Sequence, residues 1–154
     1  MRVRLVVALA CFLLAACGKG GEHVALHHYV NPHGEGWSAQ DTLHYSLPPV
    51  NATADYELSL GMRVGNLFPY AGVWMVADLS LHNPERQLRD TLYFVTMQEG
   101  GMPQGTGINM QQSEQRLLSV RLTEGQSGDI AVYHIMRRET LPSVLDVGVK
   151  LARR

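Results

Sequence analysis

The stretch VWMVADLSL, residues 73–81, decides the fold class of this chain of 154 residues. It begins with an apolar run and then alternates between apolar and polar residues from Asp78 to Leu81. Alternation at every second residue is typical of a β-strand with one buried face, because successive side chains of a strand point to opposite sides. We therefore expect a strand here, and we expect Trp74 in the core.

The same period of two recurs along the chain, and Gly-, Pro- and Asn-rich turns separate the repeats. The pattern predicts an all-β protein, an antiparallel β-sandwich of the jelly-roll or immunoglobulin-like class with about eight strands. One segment, 111–118 (QQSEQRLL), is rich in helix formers, so we expect at most one helical turn there before the next strand. The predicted strands are 23–30, 41–47, 54–64, 72–81, 90–98, 115–123, 129–137 and 144–151.

The amino terminus has the features of an export signal. Arg2 and Arg4 precede an apolar run of about a dozen residues, which is shorter than the roughly 20 that a membrane-spanning helix needs. The run ends in Leu14-Ala15-Ala16-Cys17, which resembles the lipobox of bacterial lipoproteins. The resemblance implies cleavage before Cys17 and lipid on its sulfur and amino group. Cys11 lacks an aliphatic residue three positions before it and belongs to the discarded signal. The alternative is an uncleaved anchor helix.

This interpretation divides the chain into a signal peptide (1–16), a lipidated glycine-rich tether (17–22) and a single β-sandwich domain (23–154). Of the 13 basic residues two fall in the signal peptide, which leaves 11 against 14 acidic residues and a net charge of −3. We expect no nucleic-acid partner, because no basic patch is present. Without a second cysteine in the mature chain, the domain has to be stabilised by packing alone.

Catalytic and metal motifs are not evident. His27 and His28 are neighbours and would point to opposite faces of a strand, so they are poorly placed to share an ion. No Gly-x-Ser-x-Gly or HExxH motif occurs, and the acids that a carboxylate pair would draw on are scattered: Glu35, Asp41, Glu57 and Asp78. We expect no enzyme activity, no cofactor and no metal.

Three further features have both a structural and a binding interpretation. Trp37 and Tyr70 are candidate ligand platforms, but we expect Trp37 at the edge of the core. The glycine cluster 100–107 lacks the Gly-Lys-Ser/Thr of a P-loop and is typical of a long hairpin loop between two strands. We expect Arg137 and Arg138 to lie in solvent at the end of a strand. The alternative is that they contact an acidic partner or lipid headgroups.

Asp41-Thr42-Leu43 and Asp90-Thr91-Leu92 are the same tripeptide pattern, each at the start of a predicted strand. They resemble the O-glycosylation motif of exported proteins in the Bacteroidota, with Thr42 and Thr91 as the acceptors. The alternative is a plain strand start.

The order of these landmarks resembles the gliding-motility lipoprotein H (GldH) family of the Bacteroidota over nearly the whole chain. The lipobox is followed by GWSAQD (36–41), LGMRVGNLFPYAGVWMVADL (60–79), Asp90-Thr91-Leu92, the glycine loop and HIMRRETLPSVLDVGVKL (134–151). The most specific residues are Met136, Arg137, Leu141, Asp146 and Gly148. The chain departs from the family in the glycine loop, where Met102-Pro103 stands in place of an expected Trp.

The resemblance implies a non-catalytic lipoprotein of the cell envelope, anchored in the outer membrane and facing the periplasm. It would support a motility apparatus coupled to type IX secretion, with envelope proteins as its partners. The alternative is a carbohydrate-binding β-sandwich lipoprotein, which requires exposed, coplanar aromatic rings on one face.

Overall fold

The computed structural model describes residues 23–154, and these form ten strands and no helix. The strands are β1 (Val24–Val30), β2 (Gly36–Ser38), β3 (Leu43–Leu47), β4 (Ala54–Gly65), β5 (Gly72–His82), β6 (Arg86–Val95), β7 (Met110–Leu122), β8 (Ser127–His134), β9 (Thr140–Pro142) and β10 (Val144–Arg153).

Two four-stranded antiparallel sheets make up the sandwich. The first sheet has the order β1-β10-β4-β7 and the second β3-β8-β5-β6, while β2 and β9 form a separate two-stranded ladder. Alternate side chains of both sheets meet in one apolar core. Across this core the Tyr45 hydroxyl donates a hydrogen bond to the Val147 carbonyl at 2.8 Å, and burial raises the pKa of Tyr45. The predicted all-β sandwich is confirmed.

All eight predicted strands are present, but two expectations about local structure were wrong. Strand β7 begins at Met110 and not at the predicted 115, so the whole segment 111–118 lies within it, because pairing with β4 over twelve residue pairs overrides its helix propensity. Strand β6 begins at Arg86, so Asp90-Thr91-Leu92 lies in the middle of a strand and not at its start. The short strands β2 and β9 were not predicted.

The sandwich has two distinct ends. At the entry end, defined as the end where the chain enters β1, Val24 pairs with Ala152 and Ala54 with Leu122. At the opposite end, called the loop end, Gly65 pairs with Met110. The loop end carries the connections 66–71 and 96–109 and the β2–β9 ladder.

Strand β1 is fixed to its sheet by one aromatic ring. Tyr29 lies across the outer face of the first sheet, over Gly148 of β10 and Gly61 of β4. A Cβ atom at Gly148 would come within 2.5 Å of the ring. The Arg63 guanidinium covers the ring, 4.1 Å from its centroid, and is held by Gln112 and Asp146. The two glycines thus form a slot that only an aromatic ring fills.

The loop end is closed by a pair of buried aromatic residues. Trp37 of β2 is fully buried, and its indole Nε1 donates a hydrogen bond to the Asp41 carbonyl at 2.9 Å. The His134 ring packs edge-on against it, with 5.0 Å between ring centroids. His134 Nε2 donates to the Trp37 carbonyl, while Nδ1 accepts from the Met136 N–H. These partners fix His134 as the neutral Nε2–H tautomer.

The glycine slot predicts an asymmetry between two glycines. Gly148→Ala should destabilise the fold by about 1–3 kcal/mol, because the new methyl group clashes with the Tyr29 ring beneath Arg63. Gly65→Ala is the matched control, since its Cβ would meet nothing closer than 3.5 Å, and we expect a change within about 0.5 kcal/mol. Urea unfolding measures both. In a Tyr29→Ala background the cost of Gly148→Ala should largely disappear; equal costs in both backgrounds would show that the slot is not the cause.

The environment of His134 predicts a pH dependence of stability. Burial lowers the pKa of His134, and its hydrogen bond to the Trp37 carbonyl opposes this in part. Because the unfolded chain then binds the proton more readily, stability is lost as the pH falls through about 6.5, by at most about 1.4 kcal/mol per pH unit. His134→Gln should flatten this slope between pH 7 and pH 5 in denaturant titrations. An unchanged slope would assign the proton uptake to other histidines.

Candidate functional site

The outer face of the second sheet presents a row of exposed apolar side chains, which we call the aromatic row: Ile135, Trp74 and Tyr93. Trp74 pairs with Tyr93 across β5 and β6, and the Ile135 N–H donates to the Trp74 carbonyl at 2.9 Å just beyond β8. Their exposed fractions are 52%, 48% and 41%, so each gives about half of its surface to solvent. Exposed large apolar groups that lie side by side mark a contact surface.

The rings of the aromatic row are set in place by the backbone beneath them. Trp74 and Tyr93 have centroids 5.0 Å apart and planes inclined at 51°. The Tyr93 ring lies over Gly72, where a Cβ would come within 2.5 Å of its Cζ. The pair is therefore rigid but not coplanar, which is the wrong shape for the flat platform that the carbohydrate-binding alternative requires.

Toward the entry end this sheet face becomes polar. The next row holds Val76 between Tyr133 and Thr91, and the row after it holds Asp78 beside Arg89. The Arg89 guanidinium donates two hydrogen bonds to the Asp78 carboxylate, at 2.5 and 2.9 Å, and its hydrogen bonding to Asp78 and the charge of that carboxylate raise the pKa of Arg89. Beyond this row Asp129 lies opposite Ser80, 3.1 Å from His82 Nε2, and accepts a hydrogen bond from the Ser46 hydroxyl at 3.2 Å. These bonds lower the pKa of Asp129.

The prediction that Trp74 lies in the core was wrong. Val73, Met75 and Ala77 point inward, so Trp74 shares the outer side of β5 with Asp78 and Ser80. The signal was present in the sequence, because counting back by twos from Asp78 places Trp74 among the outward residues. Because the residues on both sides of Trp74 are also apolar, the alternation between inward and outward residues is not visible at this position.

Trp37 and Tyr70 do not form a ligand platform. Trp37 is completely buried, deeper than the core edge expected for it, and Tyr70 is half-buried with its ring 5.4 Å from that of Phe68. Exposed aromatics at these two positions were the sequence basis of the carbohydrate-binding alternative, and their burial counts against it.

The outer face of the first sheet carries charges in neutralising pairs. Glu57 lies 3.1 Å from Arg116, Lys150 lies 3.5 Å from Glu114, and Arg63 lies 3.4 Å from Asp146. Because opposite charges alternate across the face, it offers no strong field of one sign to a charged ligand.

The acids that the sequence offered for a carboxylate pair mostly have other partners. Asp78 binds Arg89, Glu57 binds Arg116, and Asp41 accepts a hydrogen bond from the His33 backbone N–H at 3.2 Å. Within residues 23–154, no three side chains of His, Cys, Asp or Glu gather closely enough to hold a metal ion. Arg137 and Arg138 are exposed beyond the end of β8.

The predicted modification sites fall into two groups. Cys17, with the signal peptide and the tether, lies outside the described residues. Thr42 and Thr91 are both exposed, the first just before β3 and the second within β6. The Asp90 carboxylate accepts the Thr91 backbone N–H at 2.8 Å, and Thr91 lies opposite Val76 on the outer side of the sheet.

The glycine cluster 100–107 lies in the connection between β6 and β7, as expected of a long hairpin loop. Isolated bridges between Met97 and Pro103 and between Thr106 and Gln112 give it internal structure. Met102 and Ile108 project from it with 67% and 91% of their surfaces exposed. No helix in the described part of the chain is long and apolar enough to cross a membrane.

Solved structures with a related arrangement of strands share little sequence with this chain. A protein of Sulfurospirillum deleyianum is 7% identical, with 84% of this chain and 96% of that chain aligned at a TM-score of 0.45. The CBM35 module of Cellvibrio japonicus Abf62 is 14% identical (85% and 88% aligned, TM-score 0.35), and a family 35 carbohydrate-binding module of Clostridium thermocellum is 12% identical (85% and 93%, TM-score 0.37). Likenesses this distant say nothing about what the chain binds.

No curated protein matches the chain. The family model described as GldH lipoprotein matches residues 24–151, from the first residue of β1 almost to the end of β10. The match covers the complete sandwich, including the β2–β9 ladder and the loop end. The chain therefore belongs to the GldH lipoprotein family.

Proposed function

We propose that this protein is a non-catalytic, lipid-anchored component of the bacterial cell envelope that supports a gliding-motility apparatus linked to type IX secretion. The family match over residues 24–151 carries the proposal. The lipobox at Leu14–Cys17, which lies outside the matched region, supports it independently.

In this proposal residues 1–16 are removed as a signal peptide, and lipid on Cys17 holds the protein in the membrane. Residues 17–22 connect the lipid to the sandwich domain of 23–154. Each buried methylene contributes about 0.8 kcal/mol and stable anchoring takes at least two chains, a requirement that a triacylated cysteine meets. By analogy with enterobacterial sorting, Gly18 in place of Asp favours the outer membrane, with the domain facing the periplasm.

The non-catalytic part of the proposal is supported by the way the described polar groups are used. Most acids of the outer sheet faces are paired with arginine or lysine, Asp129 is paired with His82 and Ser46, and His134 is committed to two backbone groups inside the core. The exposed apolar side chains of the aromatic row suit contact with another envelope protein. Anchoring confines the domain to the membrane plane and so raises its effective concentration near such partners.

Thr42 and Thr91 are the proposed O-glycosylation sites. Both are exposed, and Thr91 lies on the outer sheet face two residues from Tyr93, where an added sugar would meet no core residue.

Lipid anchoring predicts a difference between the two cysteines. In Cys17→Ala the domain should still fold, but the amount of protein in the membrane fraction should decrease by roughly tenfold or more, because the burial of the acyl chains is lost. Cys11→Ala is the matched control and should remain with membranes, since Cys11 leaves with the signal peptide. Fractionation and immunoblotting measure both. Retention of Cys17→Ala in membranes would rule out lipid as the anchor.

Glycosylation predicts a mass difference in the protein isolated from its native host. Thr42→Ala and Thr91→Ala should each remove one glycan from the intact mass. Thr140→Ala is the control, because Thr140 is also exposed and followed by Leu but is preceded by Glu in place of Asp. A native protein with no added sugar mass would remove this part of the proposal.

A further inference from the structure

Exposed apolar surface is distributed unevenly between the two ends of the sandwich. Of the nine large apolar side chains exposed in the described residues, only Val24 lies at the entry end. The other eight lie at or near the loop end: Leu67, Trp74, Tyr93, Met102, Ile108, Met110, Ile135 and Leu145. Since scattered single exposures are normal in soluble domains, it is the clustering at one end that needs an explanation.

Four of these residues lie on or beside the two loops of this end and are called the loop tip: Leu67, Met102, Ile108 and Met110. Leu67 and Ile108 have 87% and 91% of their surfaces in solvent. The two loops are joined, because the Asn66 Nδ2 donates to the Ile108 carbonyl at 2.9 Å. This side-chain-to-backbone bond links the loop that carries Leu67 to the loop that carries Ile108.

An apolar depression adjoins the loop tip. It has a volume of about 160 Å³ and runs between the two loops, with Asn66 at its border. Its other lining residues are Val64, Gly65, Phe68, Thr96, Met97, Pro103 and Gln111. A cleft of this kind takes one aliphatic or aromatic side chain, the usual anchor of a protein–protein contact.

The charge of the loop end selects among occupants. The segments 64–76 and 96–112 contain no lysine, arginine or histidine, and their only acid is Glu99. On the β2–β9 side, Arg137 and Arg138 are balanced by Glu35 and Glu139. An anionic bilayer would be attracted by a surplus of basic residues, which this end lacks. Gln98, Gln104 and Asn109 border the loop tip instead and supply the uncharged hydrogen-bonding rim of a protein interface.

The position of the anchor agrees with a protein occupant. Strand β4 has 12 residues, so the two ends of the sandwich are about 40 Å apart at ~3.3 Å per residue. The six residues 17–22 reach at most about 20 Å from Cys17. A domain tethered at its entry end can therefore stand with its loop end well away from the bilayer that holds the lipid.

We infer that the loop tip and the aromatic row together form a docking surface for a protein whose contact surface is apolar and uncharged. The inference rests on the proposed function in taking Cys17 as the anchor. The partner inserts a side chain into the depression and covers the loop tip, while Trp74 and Tyr93 extend the contact along the second sheet. Recognition is by burial of apolar surface and by amide hydrogen bonds, without ion pairs.

Photo-cross-linking in the native envelope tests this surface in the full lipidated chain. With p-benzoylphenylalanine in place of Ile108, we expect one adduct with a single other protein, with the cross-link at a position flanked by apolar and uncharged side chains. Leu67→Ser should lower the yield about 5- to 30-fold, the effect of losing 1–2 kcal/mol of contact. The matched control Val24→Ser removes an exposed apolar group at the entry end and should leave the yield unchanged.

A second cross-linker position at Glu124, exposed at the entry end, should not give that adduct. The inference is overturned by an adduct with a second copy of this chain, by an adduct with lipid alone, by a cross-link at a position flanked by charged side chains or by no adduct. It is also overturned if Leu67→Ser and Val24→Ser behave alike. These outcomes can be distinguished from those of the anchoring test. If the chain stays in the membrane fraction but gives no adduct, the docking surface is refuted and the lipid anchor is not.

Discussion

The inward packing of alternate side chains from two facing sheets is the constraint on which this structure depends. Residues 23–154 contain no cysteine and form no helix, so neither a disulfide nor a helical layer supports the sandwich. The core is continuous across both sheets, and the Tyr45 hydroxyl ties β3 to the Val147 carbonyl of β10 through it. Because the period is two, every residue that packs inward fixes its neighbours on the outer face. The outer surfaces are therefore where function can be placed.

The edges of the sandwich indicate how a partner would bind. The Val95 N–H and carbonyl are both taken by the Gln115 side chain, and the Thr91 N–H is taken by Asp90. By the two-residue period, these groups lie on the free edge of β6, so part of that edge is already blocked. A partner strand that added to β6 would have to displace these bonds. Contact through the side chains of the aromatic row and the loop tip needs no such displacement.

The architecture could be predicted from the sequence because a long strand with one buried face shows the apolar–polar alternation in its own residues. The three-residue strands β2 and β9 escaped because their pairing, Trp37 with Leu141, joins segments about a hundred residues apart. Gln111–Leu118 was misjudged because propensity acts locally, while the ladder with β4 that overrides it is set by the whole topology. The aromatic row could not be predicted from the sequence for the same reason, because Ile135 lies beside Trp74 only through the pairing of β8 with β5.

Within VWMVADLSL the parity of Trp74 was readable, but its exposure was not. Val76 is on the same outer side of β5 and is only 5% exposed, because Tyr133 and Thr91 flank it. Trp74 occupies the next row toward the loop end, where its neighbours do not cover it. The glycine loop shows a similar limit. Met102 replaces the aromatic residue expected there, yet Pro103 pairs with Met97 and leaves Met102 facing solvent. The loop tip therefore presents an exposed thioether side chain where the family resemblance led us to expect an aromatic ring.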